Sequence, residues 1–280
     1  MQPIPTGRSP GILVAAIVAV LACLMASVAP ALAVDKCLAV ADGPRLPPRP
    51  LVERVDMRLA QLKAGEVRIS YVGHSTFQID TPSGLAIATD YNDYVRPAKI
   101  PDVVTMNRAH STHYTDAPDP TIKHILRGWN PSGGAIMHDV KVADARIRNV
   151  STNIRDYAGG TYVFGNSIFI FEIADLCIAH LGHLHHTLTD QQHFQVGQID
   201  VVMVPVDGSF TLDVEGMVEV LKQLRAPLML PMHYFSSYTL NRFLDRVRSE
   251  FEIRTSEVPT VVVSRASLPR KQEILVLPGR

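Results

Sequence analysis

Residues 165–192 read GNSIFIFEIADLCIAHLGHLHHTLTDQQ. Two apolar runs within it, SIFIFEI (167–173) and LCIAHL (176–181), predict strands. The second run ends in HLGHLHH (180–186), which holds four of the chain's 11 histidines. Thr189 and Gln192 then stand at capping-box spacing and predict a short helix over DQQHFQVG. Strands, an imidazole-rich rim and a helix, in that order, predict a mixed α/β domain with its chemistry at a strand end.

The same rhythm extends outward in both directions. VRISYV (67–72), STFQID (75–80) and LAIATD (85–90) predict neighbouring strands, and DVVTM (102–106) predicts a buried one. A loop rich in His, Thr, Asp and Pro follows (107–121), then predicted strands at GAIMH (134–138) and ARIRNV (145–150). On the far side, DVVMVPV (200–206) and PLMLPMHY (227–234) are apolar strands. Between them Thr211 is expected to cap a helix over 212–225, with Val214, Met217, Leu221 and Leu224 on one face. A helix over LNRFLDRVRSE (240–250) and strands at TVVVSR (260–265) and EILVL (273–277) complete the chain.

The 280 residues are 46% hydrophobic, which suits one domain with a well-buried core. Twenty-seven basic and 27 acidic side chains cancel, so neither a basic nucleic-acid face nor a polybasic membrane patch is expected. Residues 1–33 combine Arg8, the apolar run GILVAAIVAVLACLMASV (11–28) and ALA (31–33). They read as a signal peptide cleaved after Ala33, giving an exported protein, periplasmic or secreted, with no stable membrane anchor. A proline-rich arm (34–50) leads to a predicted helix over 51–65 and a domain spanning 51–280. Cleavage leaves Cys37 and Cys177, which either pair in an oxidising compartment or remain a free and a buried thiol.

Polar clusters recur after the apolar strands: GHSTF (73–77), TDYND (89–93), NRAHSTHYTD (107–116), HLGHLHH (180–186) and PMHY (231–234). A metal site needs this pattern, because its ligands come from several rigid elements meeting at one rim. With these stretches in order, the chain resembles the metallo-β-lactamase-fold hydrolases, in the branch of ascorbate-6-phosphate lactonase-like proteins. YVGHSTFQIDTPSG (71–84), IATD (87–90), the stretch 165–192, IDVVMVPVDGSFTLDVEGMVEVLKQL (199–224) and LPMHY (230–234) carry the resemblance. It implies a four-layer αβ/βα sandwich with the site at one edge between two sheets.

Three positions depart from the family pattern. His-x-His-x-Asp-His is replaced by HSTHYTDA, giving His110, His113 and Asp116, with Ala117 where a last histidine is expected. The next ligand place holds Asn153 or Arg155, in STNIRDYAGG (151–160). The aspartate of HLGD, which bridges two metals in the family, is His183. A carboxylate bridges two cations with two oxygens, whereas a neutral imidazole offers one lone pair to one. One ion is therefore expected, with the Arg155 guanidinium standing in for a second cation.

The resemblance implies a divalent metal on His110, His113, Asp116, His183 and His233: zinc in one or two ions, or manganese or iron. His138 stands in reserve should Asp116 not ligate. His74 and Asp90 are expected to orient ligating imidazoles through their other ring nitrogen. His186, Asp116 and Arg155 are the catalytic candidates, the first two moving a proton to the leaving group. His180 reads as a core histidine bonded to backbone, and His185 as a solvated one. The implied activity is hydrolysis of a small-molecule ester, lactone or phosphodiester. The rival is a member of the same fold that binds metal or a ligand without turnover.

Overall fold

The computed structural model describes residues 37–38, 61–156 and 158–279. The expected signal peptide (1–33), nearly all of the arm and residues 51–60 of the predicted first helix lie outside the described residues.

Two sheets form the body. The first has six strands in the order β13-β1-β2-β3-β4-β5: β1 (Glu66–Gly73), β2 (Thr76–Asp80), β3 (Ala86–Ala88), β4 (Val103–Met106), β5 (His124–Arg127) and β13 (Thr260–Ser264). The second has eight, in the order β12-β14-β11-β10-β9-β8-β7-β6. Its members are β6 (Asp139–Val142), β7 (Ala145–Arg155), β8 (Thr161–Ile173), β9 (Leu176–His180), β10 (Val201–Pro205), β11 (Leu228–Met232), β12 (Glu252–Thr255) and β14 (Glu273–Val276). Three helices are described: α1 (Asp190–Val196), α2 (Val214–Leu224) and α3 (Ser237–Val247).

Alternation along the strands assigns each sheet face. Val201 and Met203 of β10, Phe169 and Phe171 of β8 and Leu228 and Leu230 of β11 point to the core between the sheets. There they meet Ile69, Phe77, Ile79 and Ile87 from the six-stranded sheet. The intervening residues Val202, Val204, Ile168, Ile170 and Met229 face the helices. Strands apolar on both faces are what a sheet covered on both sides requires. The described helices bury Val196, Met217, Leu221, Phe243 and Val247 against this outer face. This is an α/β sandwich, as the sequence predicts.

Several local expectations change. GAIMH (134–138) is irregular, with the His138 N–H on the Asn149 side-chain oxygen and its Nε2 on the Arg127 carbonyl. Asp213, and not Thr211, caps α2 by accepting from the Gly216 N–H, because the Thr211 hydroxyl is committed to Asp207. α3 starts at Ser237 under a Ser236–Thr239 capping box. Strands β5, β6 and β12 form where none was predicted; β6 and β12 carry only half-buried or exposed residues, which weakens the hydrophobic signal. Cys37 and Cys177 are joined in a disulfide, with Cα atoms 5.8 Å apart, so the paired alternative holds.

Candidate metal centre

β9, β10 and β11 are adjacent parallel strands of the eight-stranded sheet, and β4 lies in the six-stranded sheet between β3 and β5; the polar loops that follow their C-terminal ends meet at one rim. Each hands one polar loop to it. After β4 the loop folds back on itself, with the Asn107 N–H on the His113 carbonyl (3.1 Å) and the His113 N–H on the His110 carbonyl (2.9 Å). That turn brings His110 and His113 together. After β9, Gly182 at φ 61° turns the chain, and an added Cβ would lie 2.3 Å from Asn166 Oδ1 and 2.4 Å from Asn107 Nδ2. His233 follows β11 at φ 58°, its N–H on the His74 carbonyl (2.7 Å). His74 (φ 52°) and Asp90 (φ 42°) are also left-handed. Non-glycine residues in this region cost about 1–3 kcal/mol each and gather at functional sites.

Side-chain nitrogens of His110, His113, His183 and His233 all lie within 4.8 Å of one another. His110 Nε2 stands 3.0 Å from His183 Nε2, and His113 Nε2 stands 3.2 Å from His233 Nε2. Tetrahedral ligands on bonds of about 2.0–2.1 Å lie about 3.3 Å apart, so this spacing suits one ion. The opposite nitrogen of every ring is held. Asp90 Oδ2 meets His113 Nδ1 at 2.5 Å, Asp207 Oδ1 meets His233 Nδ1 at 3.0 Å, and the Thr112 hydroxyl meets His110 Nδ1 at 2.7 Å. His185 Nε2 meets His183 Nδ1 at 2.5 Å. Such outer partners fix ring orientation and tautomer in metal sites. The donor set therefore fits a divalent ion taken by imidazoles.

Electrostatics support neutral rings. Burial pushes His113 and His183 well below the usual imidazole range, and lowers His110 as well. Burial with His233 nearby takes His74 down to about 4, and burial with the Arg155 charge does the same to His185. Burial raises Asp90 against the pull of His180, Asn107 and Ser75, and its Oδ2 lies 2.5 Å from His113 Nδ1. Asp207 behaves oppositely: burial opposes its charge, but His233, Thr211 and the Ser209 amide outweigh it and hold the carboxyl far below its usual range.

The expected residues divide clearly. His110, His113, His183 and His233 come together. His74 touches the Thr112 hydroxyl with Nε2 (2.9 Å), and Asp90 lies directly behind His113. Asp116 is exposed and outside the group, because after His113 the Thr115 hydroxyl bonds to Asp93 and the chain leaves the rim. His186 is exposed, whereas His185, expected to be solvated, is buried on His183. The Arg155 guanidinium is tied to the Thr211 (2.6 Å) and Ser209 (3.0 Å) carbonyls, with its Nε 3.3 Å from His185 Nδ1, so it reaches the four histidines only through His185. Asn153 accepts from the Phe164 N–H, and His138 lies apart on the Arg127 carbonyl. His180 is a core histidine, Nε2 on the Ser75 carbonyl at 2.8 Å. Sequence reading missed Asp207 and Thr112. Asp207 directly follows the apolar run of β10, the same signal that marked Asp90.

Residues 68–233, which include all four convergent histidines, match the beta-lactamase superfamily domain. A UPF0173 metal-dependent hydrolase of Salinibacter ruber is 22% identical over 210 residues, 66% of this chain and 92% of that protein. A crystal structure from the metallo-beta-lactamase superfamily of Thermotoga maritima superposes with a TM-score of 0.56 at 26% identity, covering 76% of this chain and 100% of that one. Igni18, a metallo hydrolase of Ignicoccus hospitalis, shares the fold with a TM-score of 0.52 at 21% identity, over 71% of this chain and 99% of its own.

Proposed function

The chain belongs to the beta-lactamase superfamily, and from that premise we propose that it is an exported, one-ion metal-dependent hydrolase of small esters or lactones. The observation that carries this reading is the convergence of four imidazoles whose outer nitrogens are all held. Zinc suits an all-nitrogen site of this size, with manganese or iron as alternatives. Held by these residues, such an ion would supply a water acidified to a pKa of about 7 and would polarise a carbonyl or phosphoryl oxygen. Asp90 and Asp207 raise the basicity of His113 and His233 and keep each ring aimed inward. Both carboxylates are committed to these bonds and to Asn107, Thr211 and the Ser209 and Phe210 amides, which favours one ion over two.

Phe210 and Phe235 stand edge to face at 5.6 Å, and Phe235 lies 5.2 Å from the His233 ring. Both are exposed and give the mouth an apolar wall suited to the carbon part of an ester or lactone. The Arg155 and Arg242 guanidinium groups are occupied by backbone carbonyls, which places a phosphodiester second. Export is supported by the signal-like segment and by the Cys37–Cys177 disulfide, since such bonds persist in oxidising compartments. The second reading, metal binding without turnover, draws on the same four imidazoles, because a four-ligand tetrahedron is the closed form of structural sites.

Metal content of the purified protein, measured with turnover on ester, lactone and phosphodiester panels, tests the proposal. One equivalent of metal with turnover that His233→Ala abolishes is the expected result. Metal without turnover on any substrate favours the second reading, and a protein that binds no metal overturns both.

A further inference from the structure

The hydrogen bonds behind the four rings do not all run the same way. Asp90 and Asp207 accept, so His113 and His233 carry their ring protons on Nδ1 and turn bare Nε2 atoms inward. His183 is different. The Arg155 backbone N–H points at His185 Nδ1 from 2.8 Å, and an amide can only donate. That nitrogen of His185 is therefore bare, and the ring's single proton sits on Nε2. His185 Nε2 lies 2.5 Å from His183 Nδ1, so His183 Nδ1 accepts as well. The His183 proton is left on Nε2, which faces the centre.

The rest of the chain of bonds agrees. A proton on His183 Nε2 requires a bare His110 Nε2, 3.0 Å away. His110 then carries its proton on Nδ1 and donates to the Thr112 hydroxyl at 2.7 Å, which donates on to His74 Nε2 at 2.9 Å. One backbone amide thus sets the direction of the whole relay from Arg155 to His74. Three of the four rings present lone pairs to the centre, and one presents an N–H.

Resting on the metal-hydrolase reading, we infer that His183 is not a ligand but a catalytic hydrogen-bond donor. His110, His113 and His233 would hold the ion, and water and substrate would reach it on the side where His183 presents its N–H. Catalytic zinc sites keep three protein ligands and one open position, whereas four-ligand sites are closed. An N–H fixed in a buried site stabilises negative charge developing on a substrate oxygen. This also explains the loss of the expected aspartate: a carboxylate there would accept, and the relay supplies a donor instead. His185 is the positioning residue, since it dictates which nitrogen of His183 carries the proton.

Long-range ¹H–¹⁵N spectra of the zinc-loaded wild-type protein test this without any substitution. His183 is expected to be protonated on Nε2, with His110, His113 and His233 protonated on Nδ1. In competition with a chelator, His183→Gln is expected to keep zinc affinity within about tenfold, while His110→Gln, His113→Gln and His233→Gln each lose about 100-fold or more. An unprotonated His183 Nε2 in zinc-loaded protein, or a loss in His183→Gln as large as in His113→Gln, overturns the donor role and leaves the metal site standing. Wild-type protein that takes up neither zinc, manganese nor iron overturns the inference together with the reading it rests on.

Discussion

Asp207 accepts from the buried His233 ring, Oδ1 to Nδ1 at 3.0 Å, and the same carboxylate takes the Thr211 hydroxyl and the Ser209 and Phe210 amides. It joins the His233 ring after β11 to the loop after β10. Asp207→Ala removes the acceptor that holds the His233 tautomer. Zinc affinity measured calorimetrically should fall about 10- to 100-fold, the usual cost of losing such a partner. Unchanged affinity in a folded variant would remove Asp207 from the centre.

Gly182 sits at φ 61°, with Asn166 and Asn107 side chains filling the space a Cβ would need. Both amides hold neighbouring structure: Asn166 takes the His183 N–H, and Asn107 bonds to Asp90. Gly182→Ala therefore adds backbone strain and a buried clash at once. Urea unfolding should show a loss of about 2–4 kcal/mol, with weaker zinc binding in whatever remains folded.

Cys37 and Cys177 close a loop of 140 residues, and the Cys37 carbonyl also accepts from the Gln198 N–H at 2.7 Å. Loop-closure entropy assigns such a link about 2–5 kcal/mol. Replacing both cysteines by serine, or adding reductant, should lower the denaturation midpoint accordingly. Reductant should have no effect on the double variant.

Asp116 and His186 are exposed and outside the cluster. Asp116→Asn and His186→Ala should each change stability by no more than about 0.5 kcal/mol, and zinc affinity should stay the same. His185→Ala should do neither, since it opens a buried space beside His183. A zinc-affinity loss in His186→Ala equal to that in His185→Ala would contradict this division.

His74 and His185 titrate near 6.5 when unfolded but near 4 in the fold. Between those values the unfolded chain binds more protons, so acidification favours unfolding. Their contribution is complete above about pH 6.5 and falls away as pH drops toward 4. The metal-free protein should melt at progressively lower temperature across that interval. A flat profile from pH 7 to 4 would contradict neutral, buried rings.

The sequence by itself determined the α/β class, because strands such as VVMVP (201–205) and LMLPM (228–232) are apolar on both faces and demand cover on both sides. The resemblance also singled out His110, His113, His183 and His233, which converge, together with Asp116, which does not. The sequence left β6 and β12 unread, because edge strands with exposed residues carry little hydrophobic pattern. Only the tertiary structure decided the partners of those rings. His185 and His186 are adjacent and chemically identical, yet strand-end geometry buries the first on His183 and turns the second to solvent. Arg155 followed the same rule: its charge suggested a stand-in cation, but the carbonyls of a loop more than fifty residues away hold it. Composition and spacing place groups along a strand. Which nitrogen keeps its proton depends on the donor packed behind it, and that donor comes from a distant segment.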